Sequence, residues 1–295
     1  MSPSPWRAEI AIALVSLVWG ATFVVIKEAL ADISTLLFIA LRFSLGTAAL
    51  WLVFRTRLGG VPNPRAEWAG GLYSGLALFA GYVLQTAGLR LTTPAKSAFL
   101  TGLYIVLVPI LGALVYRRRT RRLEVLGILS ATAGMAWMTL PGGSLRAELG
   151  DLLTIACAVA FAVQILVLGQ YASGARYERL ALIQIATVAA GSLLTFWWAE
   201  TPRVTWSPRV VVAIAGTGLL ATALAFAVQT WAQARTSPTR AALIFSLEPV
   251  FAGVVSALVG GETFTSATLG GAALILAGIV LAELKPAGAP GHPSN

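Results

Sequence analysis

Two ionisable side chains stand in otherwise apolar surroundings: Arg42 in "FIALRFSLG" and Glu248 in "FSLEPVF". Each is about 10 residues, or roughly 15 Å of helix, from either end of its apolar run. A charge at that depth in a bilayer costs at least about 2.5 kcal/mol unless it is compensated. The two are therefore expected either to pair or to face water in a central cavity, in a structural or gating role or in direct contact with a solute. Glu248 is the one carboxyl group so deep in the sequence, which makes it the obvious proton carrier. If the two pair, Arg42→Ala and Glu248→Gln should lose function non-additively.

A second set of polar residues occurs twice. "LQTAGLRLTTPAKSA" from Leu84 and "VQTWAQARTSPTRAA" from Val228 align at a separation of 144 residues. The identities are Gln85/Gln229, Thr86/Thr230, Thr92/Thr236, Pro94/Pro238 and Ala98/Ala242, with Tyr82/Phe226, Val83/Ala227, Thr93/Ser237 and Lys96/Arg240 conservatively matched. Thr93-Pro94 and Ser237-Pro238 read as helix starts, a hydroxyl N-cap followed by proline where its missing N–H costs nothing. Tyr82 and Gln85, like Phe226 and Gln229, are three residues apart and share one helix face. An amide cannot face lipid cheaply. Gln85 and Gln229 therefore either hydrogen-bond a polar solute in a cavity or make interhelical bonds worth about 1 kcal/mol. Lys96 and Arg240 fall in the first helical turn, where a cation opposes the dipole, so each either snorkels to the interface or shares an anion-binding vestibule with the helix N-terminus.

Of nine tryptophans, Trp19 alone is central in its run, while the others lie near span ends as interfacial belts require. With Tyr82, Phe99 and Tyr104 it forms either an aromatic wall for amphipathic solutes or a packed aromatic core. Gln164 and Phe245 complete the candidate substrate-binding set.

Catalytic chemistry finds little support. Cys157 is a lone cysteine and His292, the single histidine, lies in the tail "KPAGAPGHPSN". No span carries histidine, clustered carboxylates or a Gly-x-Ser-x-Gly sequence, so neither an enzyme, a metal site nor a cofactor is expected. The net charge of +9 and the run "RRRTRR" from Arg117 do not indicate nucleic acid. That run fills a short loop between apolar spans, where it anchors topology and touches anionic lipid. The expected partners are a small-molecule substrate and the bilayer; the sequence sets no oligomeric state and is compatible with a monomer.

The elements that must position these residues are membrane helices. Of 295 residues 57% are apolar and 11% charged, and the mean hydropathy is +0.81, far from a soluble domain. Ten apolar runs of membrane-crossing length are expected near 8–27, 33–54, 67–89, 94–116, 123–140, 150–169, 178–199, 208–233, 237–259 and 264–284. The first is expected to be a retained span, since no clear small-residue cleavage site follows it. Fourteen of the 21 basic residues fall on the side shared by both termini, against six opposite (Lys27, Arg90, Lys96, Arg146, Arg203 and Arg209) and Arg42 within a span. Both termini should therefore face the cytoplasm.

The repeat extends beyond the motif. At the same separation Gly127 and Gly134 meet Gly271 and Gly278, and "EIAIALVSLVWGA" from Glu9 aligns with "DLLTIACAVAFAV" from Asp151 at 142. Each half holds five spans, 1–144 and 145–286, with a disordered tail over 287–295. Five being odd, the second copy enters the membrane from the opposite side, so the fold is an all-α bundle of two inverted five-helix repeats, an arrangement suited to alternating access. Pro109 and Pro249 are expected to kink spans four and nine.

"LVWGATFVVIK", "ALRFSLG", "YVLQTAGLRLTTPAKSAFLTGLYIVLVPILG" and "SPTRAALIFSLEPVFAGVVSALVGGETFTSATLGGAALILAGIVL" resemble the drug/metabolite transporter superfamily, EamA type, over nearly the whole chain. The overall pattern is most similar to YddG-type bacterial exporters of aromatic and other amino acids. The resemblance implies a basket-like bundle in which spans one, three, four, six, eight and nine line a cavity and spans five and ten brace it. Its motifs map to Leu247, Glu248 and Pro249, to Gly261 and Glu262, and to Trp19 and Gly20; the first half reads "GLYIVLVP" where the second has its glutamate. It implies a secondary transporter exporting amino acids or related metabolites, with drugs or phosphorylated metabolites, or a passive channel, as alternatives.

Overall fold

The computed structural model describes residues 5–59, 63–117, 120–139, 148–260 and 265–283. Gly261, Glu262 and the tail lie outside them. Among the described residues ten helical columns run in chain order: α1 (Pro5–Ala29), α2 (Thr35–Phe54), α3 (Pro64–Leu91), α4 (Pro94–Gly102 and Tyr104–Tyr116), α5 (Arg122–Thr139), α6 (Leu149–Tyr171), α7 (Tyr177–Ala199), α8 (Pro208–Gln233), α9 (Pro238–Phe245 and Glu248–Gly260) and α10 (Ser266–Glu283). Eight are long and apolar enough to cross a membrane, and α10 is an apolar helix just below that length. Among the described residues there is no strand; one antiparallel bridge, Ile33 to Val204, ties two connections together.

Helix starts repeat one chemical device. The side chains of Asn63, Thr93, Ser207 and Ser237 each accept from a backbone N–H three residues on, and each is followed by proline. The two N-caps at Thr93 and Ser237 stand where the repeat placed them.

Helices α4 and α9 are broken at equivalent places, Leu103 and Ser246-Leu247. In α9 the cause is Pro249, which has no N–H to offer the Phe245 carbonyl. The turn tightens there: Ser246 N donates to Leu243 O at 3.2 Å and Leu247 N to Ile244 O at 3.1 Å. In α4 the break and the proline do not coincide. Pro109 sits inside the second piece and would deprive Ile105, so the break at Leu103, six residues earlier, is not of its making.

The halves lock together through a seam between α5 and α10. A Cβ on Gly127 would come within 2.4 Å of Gly278 O, and one on Gly134 within 2.5 Å of Gly271 O. Each glycine therefore meets the repeat equivalent of the other, as a two-fold axis demands. Ser130 Oγ donates to Leu274 O at 2.8 Å, its own equivalent position. Elsewhere α3 packs along α6 and α7, α2 along α7, and α1 against α8 and α9.

Candidate functional site

A cavity opens between the halves, lined from α1, α2, α3, α4, α6, α8 and α9. Its empty space is about 630 Å³, mouth included. Its position follows from its lining. On α1 it begins at Trp19 and continues through Thr22, Phe23 and Ile26; on α3 it runs from Leu78 to Leu89. It therefore extends from mid-bundle toward the face at which α1 ends. Toward the face at which α1 begins, Ala8 and Ile12 pack with Ala232, Ala241 and Ala242 and fill the bundle.

Arg42 and Glu248 both line this cavity, and they do not pair with each other. Arg42 Nε donates to Thr222 Oγ1 at 2.8 Å, and Nη2 donates to Tyr82 Oη and Ala221 O, each at 3.4 Å. The guanidinium also lies over the Tyr82 ring, 4.8 Å from its centroid. Glu248 Oε1 accepts from Tyr104 Oη at 3.0 Å. Compensation thus comes from separate hydroxyl partners, not from an ion pair.

The π-helical stretch Leu219–Leu224 within α8 explains part of this geometry. Its altered hydrogen-bond register frees Ala221 O, which accepts from Trp19 Nε1 at 2.9 Å as well as from Arg42. Trp19 is thereby held against Phe226 and Phe245, with ring centroids 5.3 Å and 5.2 Å away. Phe161 closes the wall against Tyr82 at 5.4 Å.

The amides differ between the halves. Gln85 Nε2 donates to Thr101 Oγ1 at 3.3 Å. Gln229 joins a buried chain: its Nε2 donates to Gln164 Oε1 at 3.4 Å, Gln164 Nε2 to Gln184 Oε1 at 2.9 Å, and Gln184 Nε2 to Thr230 Oγ1 at 3.3 Å. Gln229 Oε1 is left without a hydrogen-bond partner, an acceptor buried where the residue lines the cavity.

The sequence profile of the EamA-like transporter family matches this chain twice, over residues 6–140 and 148–284. The chain belongs to the EamA-like transporter family. It is 33% identical, over 94% of its length and 86% of the relative's, to an uncharacterized transporter of Archaeoglobus fulgidus. It is 22% identical to the uncharacterized transporter YoaV of Bacillus subtilis, over 93% of this chain and 96% of that one. A solved crystal structure shares its fold, with a TM-score of 0.75 at 22% identity, covering 94% of this chain and 96% of the other.

In this EamA-like transporter Trp19, Arg42, Tyr82, Gln85, Tyr104, Gln164, Gln229, Phe245 and Glu248 converge on one cavity. Lys96 and Phe99 do not line it. Phe99 is packed in the core beside Leu100 and Tyr104. Lys96 Nζ is 2.6 Å from Asp151 Oδ2, so its charge is met by a carboxylate. Span two, not implied as a cavity wall, contributes Arg42, and no lining residue comes from α5, α7 or α10. Phe226 and Phe161 were missed as wall residues, although Phe226 is the repeat equivalent of Tyr82 and carried that signal in the sequence.

Proposed function

We propose that this EamA-like membrane transporter exports amino acids, aromatic and other neutral ones, by alternating access. The observation that carries the reading is the placement of Arg42 and Glu248 in one aromatic-walled cavity without a bond between them. A zwitterion presents the complementary pair of charges: its carboxylate suits the guanidinium, and its ammonium suits Glu248 and the unpartnered Gln229 oxygen. Trp19, Phe226 and Phe245 supply an apolar face for a side chain. The inverted repeats supply the symmetry by which an opening on one face becomes an opening on the other. The basic-residue bias supports both termini in the cytoplasm of a bacterial-type cell, with the protein in its cytoplasmic membrane.

The test is counterflow in liposomes containing the purified protein, with labelled neutral, aromatic, acidic and basic amino acids compared with a sugar phosphate. Preloaded amino acid should accelerate uptake of the label. Exchange of the sugar phosphate alone would overturn the substrate, and uptake unaffected by preloading would indicate a pore.

A further inference from the structure

Helices α3 and α8 are repeat equivalents, yet α3 is a continuous α-helix where α8 carries the π-helical turn Leu219–Leu224. The spacing of the chain accounts for the difference. Ser74-Gly75-Leu76 and Thr217-Gly218-Leu219 stand 143 positions apart, whereas Tyr82/Phe226 and Gln85/Gln229 stand 144 apart. Tyr82 thus follows Gly75 by seven residues and Phe226 follows Gly218 by eight. Contacts agree with this alignment: Ser74 Oγ donates to Gly70 O and Thr217 Oγ1 to Ala213 O, each at 2.6 Å. A Cβ on Gly75 would meet Gln184 O at 2.7 Å, and one on Gly218 would meet Arg42 O at 3.1 Å. Arg42 and Gln184 are 142 apart, like the first helices of the two halves. The helix starts, Pro64 and Pro208, are again 144 apart, so α8 is one residue short up to Gly218 and the π turn holds the residue that restores register.

That extra residue equips one of two equivalent junctions with acceptors. Where α2 meets α8, the Thr222 hydroxyl and the freed Ala221 carbonyl take Nε and Nη2 of Arg42 at 2.8 Å and 3.4 Å. Where α7 meets α3, the corresponding positions are Leu78 and Phe79, neither with a hydroxyl, and Gln184 turns to Gln164 and Thr230 instead. The Tyr82 and Phe43 rings face the guanidinium, with centroids 4.8 Å and 5.3 Å away. Nε and Nη2 are thereby committed to the wall. Among the described residues Nη1 has no hydrogen-bond partner, and Arg42 lines the cavity.

We propose that Thr222, together with the carbonyl freed by the π turn, is the positioning residue that presents Arg42 Nη1 to the carboxylate of the substrate. The inference rests on the amino-acid reading of the cavity and adds what makes its anion recognition specific. An arginine free to rotate must be immobilised when it binds, and a tether already made in the empty site removes that cost. Thr222 is fully buried and does not line the cavity, so its effect on a solute passes through Arg42. Its Cγ2 packs on Gly46, where an added Cβ would come within 2.7 Å of it. Valine at this position therefore keeps the packing and removes the acceptor.

The experiment compares binding of phenylalanine and of phenylalaninamide, which lacks the carboxylate, by scintillation proximity on the purified protein. Thr222→Val should weaken phenylalanine about three- to tenfold and phenylalaninamide less than about twofold, and Thr222→Ser should restore the native ratio. Equal weakening of both ligands, as from a loosened bundle, or an unchanged or tighter hold on phenylalanine, would overturn the proposal. Unfolding supplies a reading that needs no ligand. Thr222→Val should lower the midpoint by about 2–4 °C, and by less than about half as much in an Arg42→Met background. Equal shifts in the two backgrounds would overturn the tether. If the unchanged protein bound neither ligand, the substrate assignment would fall, and the unfolding cycle would still decide whether Thr222 acts through Arg42.

Discussion

Tyr104 and Glu248 occupy the same position in the two repeats, 144 residues apart, and are hydrogen-bonded to each other at 3.0 Å. A contact between equivalent positions lies on the pseudo-two-fold axis. The site at the axis therefore combines a phenol from one half with a carboxylate from the other. Each residue opens the second piece of a broken helix, which brings both to mid-bundle. Tyr104→Phe removes the donor while leaving the ring, and should cost about 1–3 kcal/mol of stability together with a loss of transport. Thermal unfolding in detergent and counterflow check the two effects separately.

Arg42 and Glu248 share no hydrogen-bond partner. Arg42→Gln and Glu248→Gln should therefore have additive effects on stability, within about 0.5 kcal/mol, replacing the non-additivity that an ion pair would demand. A double-mutant cycle of unfolding temperatures distinguishes the two arrangements.

Gly134→Ala would put a methyl carbon 2.5 Å from a backbone oxygen that has no rotamer to escape into. Helices α5 and α10 would have to separate, at a cost of about 1–3 kcal/mol. Gly127→Ala, 2.4 Å from the equivalent carbonyl, should lower the unfolding temperature by a similar amount. Gly174→Ala, with open space at its Cβ, is the control.

Gln184 accepts from Gln164 and donates to Thr230 in a buried network. Gln184→Leu strands both partners and should cost about 1–3 kcal/mol, while also freeing the Gln164 amide that helps hold Gln229. Counterflow titrations should then show weakened apparent substrate affinity in addition to lowered stability.

What the sequence determined by itself was the membrane, the ten helices and their two-fold repetition. Apolar run length and spacing are local properties, and a duplication is visible wherever both copies keep their caps, as Thr93-Pro94 and Ser237-Pro238 do. Mid-span polarity also singled out Arg42, Glu248, Gln85 and Gln229, because lipid penalises such groups wherever the chain places them. The partners of those groups were decided only in three dimensions. Lys96 meets Asp151 and Arg42 meets Thr222 across separations of 55 and 180 residues, and no local pattern distinguishes a cation facing a carboxylate from one facing a cavity. The pairing depends on how the second half turns over against the first. That packing brings Glu9 to Arg240 and Tyr104 to Glu248, so the contacts that join the halves belong to the tertiary structure alone.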